Sequence, residues 1–478
     1  MDSQKTYLEG RQITMFELDL TQPKKVFFCG IGGISMSGLA EILKSRGFDV
    51  TGSDRAKSPT VKHLEESGIP VMIGQKKENI TPDIDCVIFT SAIHPDNPEY
   101  QETMRLHLEH LTRAQLLGQV MKFYKVPVAI AGTHGKTTTT SMISEILLAD
   151  DADPTVSVGG VLKDIGGNVR LGSDRYFVAE ACEYTNSFLS LFPKIAVILD
   201  IDADHLDFFK DLADIRRSFR KFAELVPEDG TLVVSGDIEN LSEITDGLSC
   251  KVVTFGRGAE NDYHPEEISF DALAHPTYTL VRKADGSKQT IRLDVPGEHN
   301  VFNSMAAIAV GDLLEAGRDN EAKALASFGG TDRRFQLRGT FGDGVTVIDD
   351  YAHHPTEIRA TLTAARHVPH KKLYVIFQPH TYTRTKALFD DFAKALCLAD
   401  VVILADIYAA RETDTLGVSS ELLAEKIKEL GHDKTYYFDS FEKIENFVRE
   451  NCRKGDVLIT MGAGNVTDIA ADLTGEKA

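Results

Sequence analysis

The feature that most constrains this chain is the run Ala131-Gly132-Thr133-His134-Gly135-Lys136-Thr137-Thr138-Thr139-Thr140, set between an apolar segment and an amphipathic one. Val126-Pro127-Val128-Ala129-Ile130 before it reads as a buried strand, and Met142, Ile143, Ile146 and Leu147 after it have the spacing of one helix face. A strand that turns through glycines into a helix brings backbone N–H groups and the positive end of a helix dipole to one point. Lys136 adds a mobile cation, and Thr137 is placed to offer a hydroxyl to Mg²⁺. The pattern predicts a nucleotide phosphate site made of Gly132, Thr133, His134, Gly135, Lys136, Thr137 and Thr138. It is a variant of the general loop, because the first glycine slot of G-x-x-x-x-G-K-[ST] holds Ile130.

A strand, glycine turn and helix also open the chain. Residues 1–22 form a polar extension with no assignable task; Lys25-Val26-Phe27-Phe28-Cys29 then reads as a buried strand. Gly30-Ile31-Gly32-Gly33 follows, and a helix runs through Leu43. Asp49-Val50-Thr51-Gly52 is a second strand ending at Ser53-Asp54, where an acidic residue meets a ribose in Rossmann-type units. Gly30 and Gly32 fit G-x-G-x-x-G, but its third glycine position is Ser35, so the turn suits a nucleotide diphosphate better than NAD. Ser91 follows a further strand, Cys86-Val87-Ile88-Phe89, at the end where open α/β sheets bind ligands.

Beyond the phosphate loop, Tyr176–Ala179 runs into Glu180-Ala181-Cys182-Glu183, and Ile195–Leu199 runs into Asp200-Ile201-Asp202-Ala203-Asp204-His205-Leu206-Asp207. Carboxylates and a histidine at strand ends beside a phosphate loop suggest a metal–phosphate site. Glu180 could hold Mg²⁺ directly and His205 could serve a second ion; a helix-start carboxylate and a packing histidine are the alternatives. Asp204 and Asp207 could favour the start of the next helix. Asn300 and Asn303 precede an apolar helix expected from Ala306 to Leu314, where they could contact adenine or cap the helix.

A third unit begins near Thr331, and its apolar strands deliver polar clusters at one end. Val345–Ile348 leads to Asp349-Asp350-Tyr351-Ala352-His353-His354-Pro355, and Leu373–Phe377 leads to His380 and Arg384. Val401–Leu404 leads to Asp406 through Glu412, and Val457–Thr460 leads to Gly462 through Asn465. Such clusters close a ligand site in open α/β sheets. The planar fork of Arg384 can grip a carboxylate at two oxygens, with Arg411 as the next candidate. His354 and His380 could serve the chemistry of that site or merely brace the loop.

Composition removes other classes. With 42% hydrophobic and 26% charged residues, the 478-residue chain is globular and long enough for about three domains. A net charge of -20 argues against a general nucleic-acid or anionic-membrane binder. The six cysteines form no C-x-x-C pair, and neither a secretory leader nor an apolar run of spanning length is present, so a reduced, cytoplasmic setting is expected.

Taken together, Gly30 to Gly38, Gly132 to Thr138, Glu180 to Glu183, Asp204-His205, His299-Asn300, Asp350 to Pro355, His380 to Lys386 and Gly462 to Asn465 resemble the Mur ligases. The resemblance covers essentially the whole chain after the N-terminal extension. It implies an α/β chain of three domains: a Rossmann-like UDP-substrate domain at 1–118, a central P-loop ATPase domain at 119–330 and a Rossmann-like C-terminal domain at 331–478. It implies ATP and Mg²⁺ as cofactors, and UDP-N-acetylmuramate and L-alanine as substrates. The muramoyl carboxylate would attack the γ-phosphorus of ATP, and the alanine amine would then attack the acyl phosphate. A recycling ligase that adds a preformed peptide to the same sugar nucleotide is the alternative within the family.

On this pattern Lys136, Glu180, His205, His354 and Arg384 would be catalytic, and Thr137, Glu180 and His205 would hold magnesium. Asn300 and Arg334 would join the phosphate loop around ATP. Gly30, Gly32, Gly33, Ser53, Asp54, Ser91, Glu183, His380, Arg384 and Arg411 would contact the sugar nucleotide or the amino acid. A monomer or weak homodimer with no nucleic-acid partner and no membrane insertion completes the expectation. Outside the family, an NAD-linked oxidoreductase and a P-loop kinase or ATP-binding switch would use the same glycine turns differently.

Overall fold

The computed structural model describes residues 5–8, 11–14, 16–90, 92–162, 165, 167–410, 412–414 and 416–475. Ser91 and Arg411, both expected at substrate sites, lie outside the described residues. The chain gathers into two units, one of Met1–Ala131, Ala152–Ala196 and Glu224–Thr231, the other of Gly132–Asp151, Val197–Ala223 and Leu232–Ala478.

In the first unit the apolar run Lys25–Cys29 becomes the middle strand of a five-stranded sheet. Its neighbours are Asp49–Asp54 and then Val71–Ile73 on one side, Cys86–Phe89 and then Glu109–Thr112 on the other, all parallel. Val26, Phe27, Phe28 and Cys29 are fully buried, as expected of a strand covered on both faces. The strand order is that of a doubly wound fold, whose ligand crevice opens where the order reverses. Gly30–Gly33 leaves the sheet at that point, with Gly30 at φ +82°, and leads into the helix Ile34–Ser45, which has no side-chain cap. The N-terminal extension contains an antiparallel ribbon, Lys5–Leu8 with Arg11–Thr14, and Leu18 N–H donates to Gln119 Oε1 at 2.8 Å.

The same unit holds the strand that feeds the phosphate loop. Val126–Ala131 lies parallel to Tyr176–Glu180, which lies parallel to Thr155–Leu162, with Gly167–Arg170 antiparallel at the edge. Asn168 of that edge strand donates to the Ile34 carbonyl at 2.6 Å.

The second unit contains the phosphate-loop helix Lys136–Ala149, the helices His299–Leu313 and Arg318–Ser327, and a run of antiparallel strands Tyr263–Phe270, Pro276–Arg282 and Ser287–Arg292. The helix expected from Ala306 begins at His299 instead, so Asn300 and Asn303 lie within its first turns. The unit also contains a six-stranded sheet in the order Gln336–Phe341, Val345–Asp350, Val457–Met461, Leu373–Phe377, Val401–Leu404, Thr435–Tyr437. Only its first strand is antiparallel. Alternate residues face opposite ways. Leu373, Val375 and Phe377 join one core with Ile358 and Phe392, while Tyr374 and Ile376 join another with Ile444 and Val448. Asp350, Gln378, Ala405 and Gly462 follow or end neighbouring strands at one edge, which gathers the polar clusters there.

Among the described residues no helix is long and apolar enough to cross a membrane.

Candidate active site

The phosphate loop is shaped by two glycines, Gly132 at φ +147° and Gly135 at φ +81°. A Cβ on Gly135 would meet Asn303 Oδ1 at 2.5 Å, so the loop packs against the helix His299–Leu313 at a distance only glycine permits. Lys136 starts the next helix, which has no side-chain cap and therefore leaves its leading N–H groups available to an anion. The Lys136 ammonium rests on two carbonyls of the loop, Gly132 O at 2.5 Å and Thr133 O at 3.1 Å. Thr137 and Thr138 follow in the first turn. Asp200 and Asp202 anchor the loop, the first accepting from His134 N–H at 2.9 Å and the second donating its N–H to Thr133 Oγ1 at 2.9 Å.

A cleft of about 380 Å³ adjoins the loop, and His134, Gly135, Thr138, Asn300 and Arg334 all line it. Asn300 is buried, with its amide donating to Pro296 O at 2.8 Å and its oxygen accepting from Asn303 at 3.0 Å, so both of its polar ends brace the wall. Asp350 also lines the cleft. Burial pushes its carboxyl up to about 6 against the pull of Arg334.

His134 sits between two carboxylates that were not among the expected site residues. Its Nδ1 is 3.2 Å from Glu357 Oε1 and its Nε2 is 3.5 Å from Asp202 Oδ2. Burial would lower the imidazole pKa, but Asp200, Asp202 and Glu357 outweigh it and hold His134 well above the usual range. Glu357 is held well below its own range, with burial opposed by His353, His134 and Arg334. Glu357 also accepts the His353 and His354 N–H groups at 3.0 and 3.2 Å, which closes a capping box on the helix Pro355–His367. The spacing His354-x-x-Glu357 is the local signal that could have found it.

His354 is buried, accepts the Thr356 N–H at Nδ1 and is 3.1 Å from the Ala203 carbonyl at Nε2. Burial lowers its pKa, which fits a neutral ring that donates from Nε2. Among the described residues, His134, Asp202 and His354 are the trio whose donor atoms lie within 4.8 Å of one another. That set differs from the expected metal ligands Thr137, Glu180 and His205.

Arg384 meets Asp204 at 3.0 Å through Nε, and its Nη1 is 3.2 Å from His380 Nδ1. Burial alone would raise the Asp204 carboxyl, but Arg384, His205 and His353 hold it below the ordinary carboxylate range. Asp204 therefore serves this pair and not the next helix, which starts only at Leu212. His205 has φ +54°, and its Nε2 is 3.8 Å from Asp204 Oδ2. The second unit thus brings His354, His380, Arg384, His205 and the phosphate loop into one connected set.

The remaining expected residues belong to the first unit. Glu180 ends its strand opposite Ile130 and accepts the Gly159 N–H at 2.6 Å through Oε1; Glu183 is buried. At the amino-terminal turn, Gly30 and Ile31 both donate N–H groups to the Ser53 carbonyl at 2.9 Å, and Gly32 donates to Asp54 Oδ2 at 2.8 Å. Gly33 occupies the N-cap position of the helix that follows and, having no side chain, gives it no capping bond. The Ser53 hydroxyl is fully buried and donates to Glu99 at 2.7 Å.

Comparison with known proteins matches three family models in succession: "Mur ligase family, catalytic domain" at residues 25–125, "Mur ligase middle domain" at 130–311 and "Mur ligase, glutamate ligase domain" at 333–464. A UDP-N-acetylmuramate--L-alanine ligase of Lachnospira eligens is 55% identical over 463 residues, covering 96% of this chain and 100% of the relative. The chain belongs to the Mur ligase family. Another Mur ligase of the same name, from Agathobacter rectalis, is 52% identical over 96% of this chain and 99% of its own. Among solved Mur ligases, the UDP-N-acetylmuramate-alanine ligase MurC of Thermotoga maritima matches with a TM-score of 0.79 and 30% identity, covering 94% of this chain and 98% of its own. A murein peptide ligase of Psychrobacter arcticus, 24% identical with a TM-score of 0.69 over 95% of this chain and 99% of its own, shares the fold. The α/β fold and the Mur ligase family expected from the motifs are both borne out.

Proposed function

We propose that this Mur ligase joins L-alanine to the carboxylate of UDP-N-acetylmuramate, converting ATP to ADP and phosphate. The observation that carries the reading is the 55% identity, over nearly the whole of both chains, to a relative named for that substrate pair. A domain division at 1–118, 119–330 and 331–478, for sugar nucleotide, ATP and amino acid in turn, belongs to the same proposal.

A carboxylate becomes an acyl donor only when one oxygen joins a phosphate leaving group. In the first step a muramoyl oxygen bonds to the γ-phosphorus as the bond to the ADP oxygen breaks. Lys136 leaves the Gly132 and Thr133 carbonyls for the phosphates, and the N-terminal end of its helix shares their charge. Arg334 and Thr138 line the nucleotide cleft. In the second step the alanine nitrogen bonds to the acyl carbon, phosphate departs and the amine sheds its protons to water. Arg384 grips the alanine carboxylate in place of Asp204, with His380 steadying the guanidinium.

The hydroxyl of Thr137 and the carboxylate of Glu180, of which the Gly159 N–H takes Oε1, are oxygen donors of the kind Mg²⁺ accepts. His205 is the proposed donor to a second ion. Magnesium, when bound, neutralises phosphate charge.

Phosphate release with ATP, Mg²⁺ and UDP-N-acetylmuramate, measured against each amino acid and against the L-alanyl-γ-D-glutamyl-meso-diaminopimelate tripeptide, tests the reading. Release that depends on L-alanine supports it. Release that depends on the tripeptide would make the chain a recycling ligase, and release indifferent to any acceptor would make it an ATPase switch.

A further inference from the structure

Beneath the amino-terminal glycine turn lies a carboxylate that no step of the proposed reaction uses. Glu99, in the first turn of the helix Pro98–Arg105, is fully buried, and its three side-chain donors are all neutral. Cys29 Sγ and Ser53 Oγ reach Oε2 at 2.6 and 2.7 Å, and Asn79 Nδ2 reaches Oε1 at 2.6 Å. Burial pushes the Cys29 thiol pKa well up, with the Glu99 charge adding to it, so the thiol stays a donor. A buried carboxylate is tolerated when hydrogen bonds replace its water, and removing its oxygens strands those donors.

The donors are not scattered. Cys29 and Ser53 are register partners at the last rung between their two strands. Cys29 is followed at once by Gly30, and the Ser53 carbonyl holds both the Gly30 and Ile31 N–H groups. Asn79 also donates to Gly74 O at 3.0 Å, and Gly74 N–H donates to the Asp54 carbonyl at 2.7 Å. Asp54 in turn holds Gly32 N–H. Ser53 therefore leads back to Glu99 in one hydrogen bond and Asp54 in three.

We propose that Glu99 is a positioning residue for the sugar nucleotide: through Ser53 and Asn79 it sets the Gly30–Gly33 turn and aims the uncapped helix N-terminus at the diphosphate. The proposal rests on reading that turn as the UDP-sugar site. Its specific content is that loss of Glu99 weakens one substrate and spares the others. A role in stability alone would lower the folded population without separating the substrates.

The test uses the full-length enzyme, with calorimetric titration of UDP-N-acetylmuramate and of ATP into wild type, Glu99→Gln and Glu99→Ala, and steady-state kinetics beside it. Gln keeps one acceptor oxygen, so the Kd for UDP-N-acetylmuramate is expected to rise about tenfold in Glu99→Gln, the effect of one buried hydrogen bond, and further in Glu99→Ala. The Kd for ATP and the kcat at saturation should stay within about twofold. If Glu99→Ala does not fold, Glu99→Gln and the milder Asn79→Ala, which removes one donor to the same carboxylate, decide the matter. An unchanged UDP-N-acetylmuramate Kd in folded variants, or an equal loss for ATP, overturns the role of Glu99 alone. Failure of wild type to bind UDP-N-acetylmuramate overturns the reading of the turn, and the proposal with it.

Discussion

Arg384 and Asp204 form a buried ion pair, Nε to carboxylate oxygen 3.0 Å, with side chains 11% and 9% exposed. The guanidinium has to leave this partner if it is to hold an incoming carboxylate. Arg384→Lys keeps the charge but loses the two-pronged geometry, so it should raise the KM for L-alanine about tenfold or more while moving that for ATP by less than about twofold. Kinetics with each substrate varied in turn checks this. Alanine saturation at the wild-type concentration would place the carboxylate elsewhere, with Arg411 the next residue to change.

The His134–Glu357 pair should show itself in the pH dependence of stability. His134 has its pKa raised by folding, so its contribution is complete below about 6.5 and disappears as pH rises through the higher folded value. Glu357 has its pKa lowered, so its contribution is present above about 4.5 and disappears as pH falls through the lower folded value. The gap in thermal midpoint between wild type and His134→Gln should be widest in mildly acidic buffer and should close toward alkaline pH. A gap that does not change across that range would mean that the imidazole is neutral when folded.

Glu180→Ala and His205→Ala should each raise the Mg²⁺ concentration at half-maximal phosphate release, since each removes a proposed donor to the ions. Titrating Mg²⁺ at saturating substrates measures it. Curves that superimpose on wild type would leave Glu180 as the partner of Gly159 N–H and nothing more.

Gly118 lies in the helix Arg113–Met121, where alanine would ordinarily favour the helix by about 1 kcal/mol. Here a Cβ would fall 1.9 Å from the Ser190 carbonyl oxygen, a backbone atom that cannot swing aside. Gly118→Ala should therefore destabilise by about 1–3 kcal/mol, as overpacking does. The urea midpoint reports it, and a midpoint at or above wild type would show that the two segments part without cost.

What the sequence made legible was local. Strand, glycine turn and helix appear in order at Lys25–Ser45 and Val126–Ala149, because buried runs and helical spacing are written in consecutive residues. Polar clusters at strand ends could be read for the same reason. Partners could not: His134 and Glu357 are 223 residues apart and Arg384 and Asp204 are 180 apart, and nothing in either neighbourhood names the other. Direction also escaped. Ser53 lies one residue from the end of its strand at the expected edge, yet its hydroxyl points inward to Glu99, since a strand end specifies an edge of the sheet and not a face. The helix start at His299 carries no local signal, because Glu298 before it caps nothing.

Lys136 closes the phosphate loop on itself, its ammonium held by the carbonyls of Gly132 and Thr133. The loop is thus a competitor for its own lysine. Nucleotide affinity then measures a difference between two sets of polar contacts, and its enthalpy is smaller than a tally of lysine–phosphate bonds suggests. A change that tightened the grip of the loop on that ammonium would slow nucleotide capture without touching a single nucleotide contact.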